Sequence, residues 1–159
     1  MSINKAQSLT YDFFLALSIF LLVLNIALAR WYFSALEIQE AMEKNFALKA
    51  SVSASQVWFK EGYPKYWDLS NVNELGLAND GKINWTKVEM LSDLGYSKVV
   101  SLLGLGTYNL CYELYNKTGE KFFAFPQVCS LNSAKDVNKV ERVAILDEQP
   151  VKVRTLVWR

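Results

Sequence analysis

From Phe13 to Ala29 almost every residue is apolar, and only Ser18 and Asn25 interrupt the run. A helix built from it has no polar face, so lipid or other helices must surround it. Its 17 residues rise roughly 26 Å, near the lower limit for a bilayer core of about 30 Å. Trp31, Tyr32 and Phe33 extend the run with rings suited to the headgroup level, and Arg30 can snorkel among them. The amino terminus and Lys5 favour a cytoplasmic start. Ser18 and Asn25 are read as groups that bond to neighbouring helices.

Beyond Phe33 the pattern changes. Residues 34–60 hold neither Gly nor Pro and are rich in good helix formers. Leu36, Ile38, Ala41, Met42, Phe46, Leu48, Val52 and Phe59 recur mostly every three or four positions, with Glu37, Glu40, Glu43, Lys44 and Lys49 between them. The pattern predicts one helix over residues 7–61. Its transmembrane part covers about 13–33, and its second half lays an apolar stripe on a globular head. Gly62 and Pro64 supply the stop.

The head, residues 62–159, reads as short helices followed by about four antiparallel strands. Asn84 is placed to cap a helix over 85–94, with Ile83 and Val88 as its hydrophobic staple, and Ser97 to Leu103 gives a further turn or two. Strands are predicted at 109–115 and 121–125 around the turn Asn116–Glu120, and at 139–146 and 151–158 around Asp147–Pro150. Val143 and Ile145, with Val151, Val153 and Val157, alternate with Arg142, Lys152 and Arg154, as a half-buried sheet requires. The fold class is therefore α+β: a long amino-terminal helix on a small antiparallel sheet. The aromatic cluster Tyr63, Tyr66 and Trp67 reads either as packing of a turn against the helix or as a surface-recognition patch.

Charge and composition narrow the function. The chain holds 17 Lys plus Arg and 16 Asp plus Glu. Removing Lys5, Arg30 and Asp12 leaves 15 of each from Trp31 onward. Such a neutral body exerts no broad pull on phosphate backbones, so no nucleic-acid partner is expected. Histidine is absent, which removes the commonest general base and metal ligand. There is no Cys-x-x-Cys pair and no phosphate-cradling Gly loop, so no catalytic residue, metal or cofactor is assigned. Asp147 and Glu148 read as solvated turn residues.

Cys111 and Cys129 fall in a part placed outside the cytoplasm, where a disulfide is expected to persist. Simple hairpin register works against the bridge, because pairing Tyr115 with Lys121 sets Cys111 opposite Phe125. Asn84-Trp85-Thr86 and Asn116-Lys117-Thr118 fit the N-glycosylation acceptor pattern.

Asp12 is the least comfortable residue, since a carboxylate at the membrane edge of an apolar helix costs several kcal/mol unless a cation meets it. Three readings of the leader stand side by side. Ala27-Leu28-Ala29 is a small-x-small site that would suit a secretory signal peptide. A plain signal anchor needs no cleavage at all.

The third reading rests on resemblance. Lys5-Ala6-Gln7, followed by Asp12-Phe13-Phe14-Leu15-Ala16-Leu17-Ser18-Ile19-Phe20-Leu21-Leu22, resembles the class III signal peptide of archaeal type IV pilin-like proteins. Gly62-Tyr63-Pro64-Lys65-Tyr66-Trp67, Gly76-Leu77, Lys87 and Leu102-Leu103-Gly104 are similar to a succession in archaeal surface proteins with this leader. The resemblance implies that residues 1–6 are a leader removed by a prepilin-type peptidase, with Lys5 and Ala6 recognised and Gln7 the new terminus. Cleavage after Ala6 makes Asp12 the sixth mature residue; cleavage after Gln7 makes it the fifth, the family's usual place for its acid. Asp12 would then meet the terminal amine of an adjacent subunit.

On this reading the chain waits in the membrane with its head outside, then joins an extracellular filament. Its partners are other pilin subunits, membrane lipid and the peptidase. The alternative is a single-pass or secreted binding domain that forms no filament.

Overall fold

The structure, a computed structural model, describes residues 3–132 and 134–159, with the backbone alone for residues 3–10. With no Gly or Pro to break it, the chain forms one helix, α1 (Ile3–Gln56). The protein divides into two compact units, residues 1–44 and 45–159. In the first, every described side chain from Tyr11 to Lys44 is exposed.

The second unit carries the last turns of α1 and the remaining elements. These are β1 (Ala78–Asn79), β2 (Lys82–Ile83), α2 (Trp85–Leu94), α3 (Tyr96–Leu102), β3 (Asn109–Tyr115), β4 (Lys121–Phe125), β5 (Val137–Leu146) and β6 (Gln149–Trp158). The long strands pair antiparallel in the order β4-β3-β6-β5, and β1 and β2 form a separate small ribbon. The architecture is α+β, with the end of the long helix packed on the sheet.

The helix meets the sheet through small residues. Ala47, Ser51, Ala54 and Ser55 are buried, followed by Val57 and Trp58. The Ser51 and Ser55 hydroxyls donate to the carbonyls of Ala47 and Val52, both at 2.7 Å, so neither is left unpaired. The large residues expected on this face, Phe46, Leu48, Val52 and Phe59, are instead exposed to a third or more. Small side chains let the helix axis approach the strands closely, and the apolar spacing had pointed to a neighbouring side.

On the inner sheet face, Leu110, Tyr112 and Leu114 sit beside Val153, Thr155 and Val157. Trp58 packs edge-to-face on Tyr112 with centroids 5.2 Å apart, and its indole N–H donates to Thr155 Oγ1 at 3.3 Å. On β5 the phase is opposite to the expected one: Ala144 and Leu146 are buried, while Val143 and Ile145 face out. Residues 143–146 are all apolar, so alternation cannot choose between the faces there. Pairing does, by setting Ala144 against Val151 and Val143 against Lys152. The turn before β6 is a tight two-residue one, with Asp147 and Glu148 both at positive φ.

After α1 the chain makes one more turn, Lys60 N–H bonding to Gln56 O at 3.1 Å, and then reverses at Gly62, where φ is +80°. The returning segment lies against this exit: Leu77 N–H reaches Val57 O, and Ala78 N–H reaches Lys60 O, both at 2.8 Å. A Cβ on Gly76 would stand 2.1 Å from the Gly62 nitrogen. The two backbones touch, and only glycine fits.

Candidate functional site

The first unit presents a surface rather than a pocket. Phe13, Phe14, Leu15, Leu17, Ile19 and Phe20 begin a run of exposed apolar side chains that continues to Phe33. Covering one such side chain is worth about 1.5–3 kcal/mol, so leaving the run in water would forfeit on the order of 20 kcal/mol, more than a domain's net stability. This stretch is long and apolar enough to cross a membrane.

Inside the run each polar side chain makes one hydrogen bond within its own helix. Ser18 Oγ donates to Phe14 O and Asn25 Nδ2 to Leu21 O, each at 2.7 Å. Back-bonding of this kind lowers the penalty of a hydroxyl or an amide in lipid. Asn25 keeps a second N–H and its carbonyl oxygen for another partner. Trp31, Tyr32 and Phe33 are all exposed and, at roughly 100° per residue, spread round the helix as a headgroup belt would.

Asp12 is exposed, and among the described residues no cation of the chain pairs with it. The side chains of Lys5, Ala6 and Gln7 lie outside the described residues.

In the head, Cys111 and Cys129 are bonded, with Cα atoms 5.9 Å apart. The register objection fails because β4 ends at Phe125, opposite Tyr112, and the chain then folds back over the outer sheet face. There Cys111 and Cys129 cluster with Leu156, Trp158 and Ala134. Glu113 lies on the same face and brings an oxygen within 4.8 Å of both sulfurs, but sulfurs joined to each other are not thiolate ligands.

Glu113 instead anchors a charge ladder across all four strands. It accepts from Lys121 at 3.1 Å, from Arg154 at 3.1 Å and from the Tyr115 hydroxyl at 2.7 Å. Arg154 also donates to Glu141 at 2.8 Å and lies 4.5 Å from the centre of the Tyr115 ring. Burial works to raise the Glu113 pKa. The Tyr115 and Lys121 hydrogen bonds and the two cations more than offset it, so the carboxyl is held below its ordinary value.

Lys87, on α2, is the residue that sequence reasoning undervalued. Its ammonium is buried and donates to three carbonyls, Glu61 at 2.6 Å, Lys65 at 2.8 Å and Ala78 at 3.2 Å. It also lies 5.9 Å from the centre of the Trp67 ring. It thereby ties the helix exit, the loop after Gly62 and β1 to one point. Burial pushes its pKa down, Glu61 opposing and Lys65 adding to the shift. A lone lysine in a helical pattern gives no sign of such a role.

The aromatic cluster divides. Trp67 is buried, and its indole N–H donates to Gly76 O at 2.8 Å. Tyr63 and Tyr66 face outward, at 65% and 75% exposure.

The two glycosylation triplets differ in their surroundings. Asn84 caps α2, accepting from Lys87 N–H at 3.3 Å. Asn116, half-buried at the head of the β3–β4 turn, accepts from the Thr118 hydroxyl at 2.6 Å and from Glu120 N–H at 2.9 Å. Asp147 and Glu148 are exposed in their turn, and Glu148 pairs with Lys82. Two open grooves share Tyr96, one running along Ser97, Ser101 and Gly104, the other along Pro126, Val128 and Ser130.

No family model, curated protein or solved structure matches this chain.

Proposed function

We propose that the chain is a pilin-like structural subunit of an archaeal type IV pilus-type surface filament, serving adhesion or another surface interaction. A prepilin-type peptidase removes the leader, lipid holds α1 until assembly, and the apolar helix then exchanges lipid for the helices of other subunits. The head faces outward on the filament. The observation that carries this reading is the fully exposed apolar run from Phe13 to Phe33, joined without a break to the helix that packs on a disulfide-closed head.

Asp12 supports assembly over simple anchoring. A carboxylate at the head of a lipid-facing run is an expense unless it finds a cation, and none is supplied among the described residues of its own chain. The amine of an adjacent mature subunit would neutralise it and fix subunit register. Asp12→Ala should therefore reduce filament yield at least tenfold while membrane insertion stays near wild type. Equal filament yield from both proteins would remove the pairing.

One observation favours the alternative of an anchored or secreted binding domain: the unit 45–159 closes a core of its own. Such a domain would be found as single copies whatever peptidase is present.

A further inference from the structure

The four-stranded sheet of the head has two edges, and they are built differently. β4 is five residues long and is followed by Pro126, and a short strand and a proline both discourage further pairing. β5 runs for ten residues, holds no Pro and pairs with β6 without a bulge.

The tight turn makes Leu146 and Gln149 a hydrogen-bonded pair. Alternation along the ladder then turns the backbones of Asn138, Val140, Arg142 and Ala144 toward β6, and those of Val137, Lys139, Glu141, Val143 and Ile145 away from it. Among the described residues no hydrogen bond from another segment reaches those five backbones. Of their side chains, Val137, Val143 and Ile145 are 43%, 70% and 44% exposed. A long open edge bordered by exposed β-branched residues is a template for another strand.

We propose that this edge receives β5 of a second copy, antiparallel and related by a two-fold axis at Val140, so that two heads share one continuous eight-stranded sheet. The pairing lies wholly within the unit 45–159 and goes beyond the filament reading without resting on it.

Charge selects the occupant and the register. With the axis at Val140, Lys139 of each copy opposes Glu141 of the other, Val137 opposes Val143, and Val140 opposes itself. Moving the axis one residue sets Lys139 against Lys139 in one direction and Glu141 against Glu141 in the other. Moving it two residues sets Lys139 against Val137 or Glu141 against Val143. Of these five positions only Val140 matches every pair, and its four hydrogen-bonded residue pairs supply about eight backbone bonds. Glu141 also has an oxygen to offer. Arg154, Lys152 and Lys139 of its own chain all approach Oε1, at 2.8, 3.8 and 3.9 Å, and Oε2 has no partner among the described residues.

The test uses the full chain in mild detergent with its native disulfide intact. Facing residues that share no hydrogen bond stand about 4.5 Å apart at Cα, within disulfide reach. Val140→Cys, oxidised with copper phenanthroline, should therefore give a dimer bridged at 140. Asn138→Cys is the control, because its two copies would stand roughly 13 Å apart along the strands; it should give at most a tenth as much dimer. Adding Lys139→Glu to Val140→Cys sets glutamate against Glu141 and should lower the bridged dimer at least tenfold, with the Cys111–Cys129 bridge and the near-ultraviolet circular dichroism of the head retained.

No bridge at 140, the result that single heads or a foreign strand on this edge would give, overturns the pairing, and so does equal dimer at 138 and 140. A dimer that survives Lys139→Glu undiminished overturns the charge-matched register. None of these results bears on leader cleavage or filament growth, which the amino terminus of the mature chain tests separately.

Discussion

The Tyr112 hydroxyl donates to the Ala54 carbonyl at 2.8 Å, joining the middle of the sheet to the last turn of α1. The carbonyls of a helix's final turn lack the regular partner four residues on; this one accepts from the Val57 N–H at 3.3 Å and, more closely, from the side chain on β3. Burial pushes the phenol's pKa far up, so it stays a donor at any ordinary pH. Tyr112→Phe should lower head stability by about 1–2 kcal/mol, measured by denaturant unfolding in detergent, without changing the filament register.

Glu113 makes the head acid-sensitive. Its carboxyl is held below the usual 4.5 in the folded protein, so its charge contributes stability that is fully present above that value and is lost as pH falls through the folded pKa. Glu113→Gln should therefore destabilise the head at pH 7 by about 2 kcal/mol, the cost of leaving Arg154 and Lys121 short of a partner. The gap between the two proteins should narrow below about pH 4. Unfolding midpoints measured from pH 7 down to pH 3 test this. A constant gap across that range would show that the ladder is not the cause.

Gly76 has no room for a side chain. Gly76→Ala would force a Cβ to 2.1 Å from Gly62 N and 2.5 Å from the Glu61 carbonyl carbon, a collision of backbone with backbone that no rotamer relieves. The variant should lose at least about 3 kcal/mol and release Trp67, seen as a red shift and increased quenching of its fluorescence. Gly81→Ala is the contrast, since there a Cβ meets nothing within 4 Å and the only cost is the strain of a φ of +79°, a strain that Gly76 does not carry. It should be much milder.

What the sequence could and could not show follows from the range of each signal. The strands around Asn116 and the cap at Asn84 were legible because turn chemistry and capping act over a few residues. The buried side of α1 was not, since Ala47, Ser51 and Ala54 look unremarkable beside Phe46, Leu48 and Val52, and only the approach of the sheet selects them. The phase of β5 was lost where four apolar residues run together. Lys87 was named without a role, because its three carbonyl partners come from segments that only the fold brings together. On α1 the apolar run was plain from the sequence, and its complete exposure in the first unit turns a composition into a surface that needs a cover.

The amino terminus of the mature protein, sequenced from cells that express a prepilin-type peptidase, tests the central claim most directly. The account predicts a chain beginning at Gln7 or Ser8, with the apolar helix intact. A chain beginning at Arg30 would mean that the helix is a discarded signal, and one beginning at Met1 would mean an unprocessed anchor; either result contradicts the filament subunit.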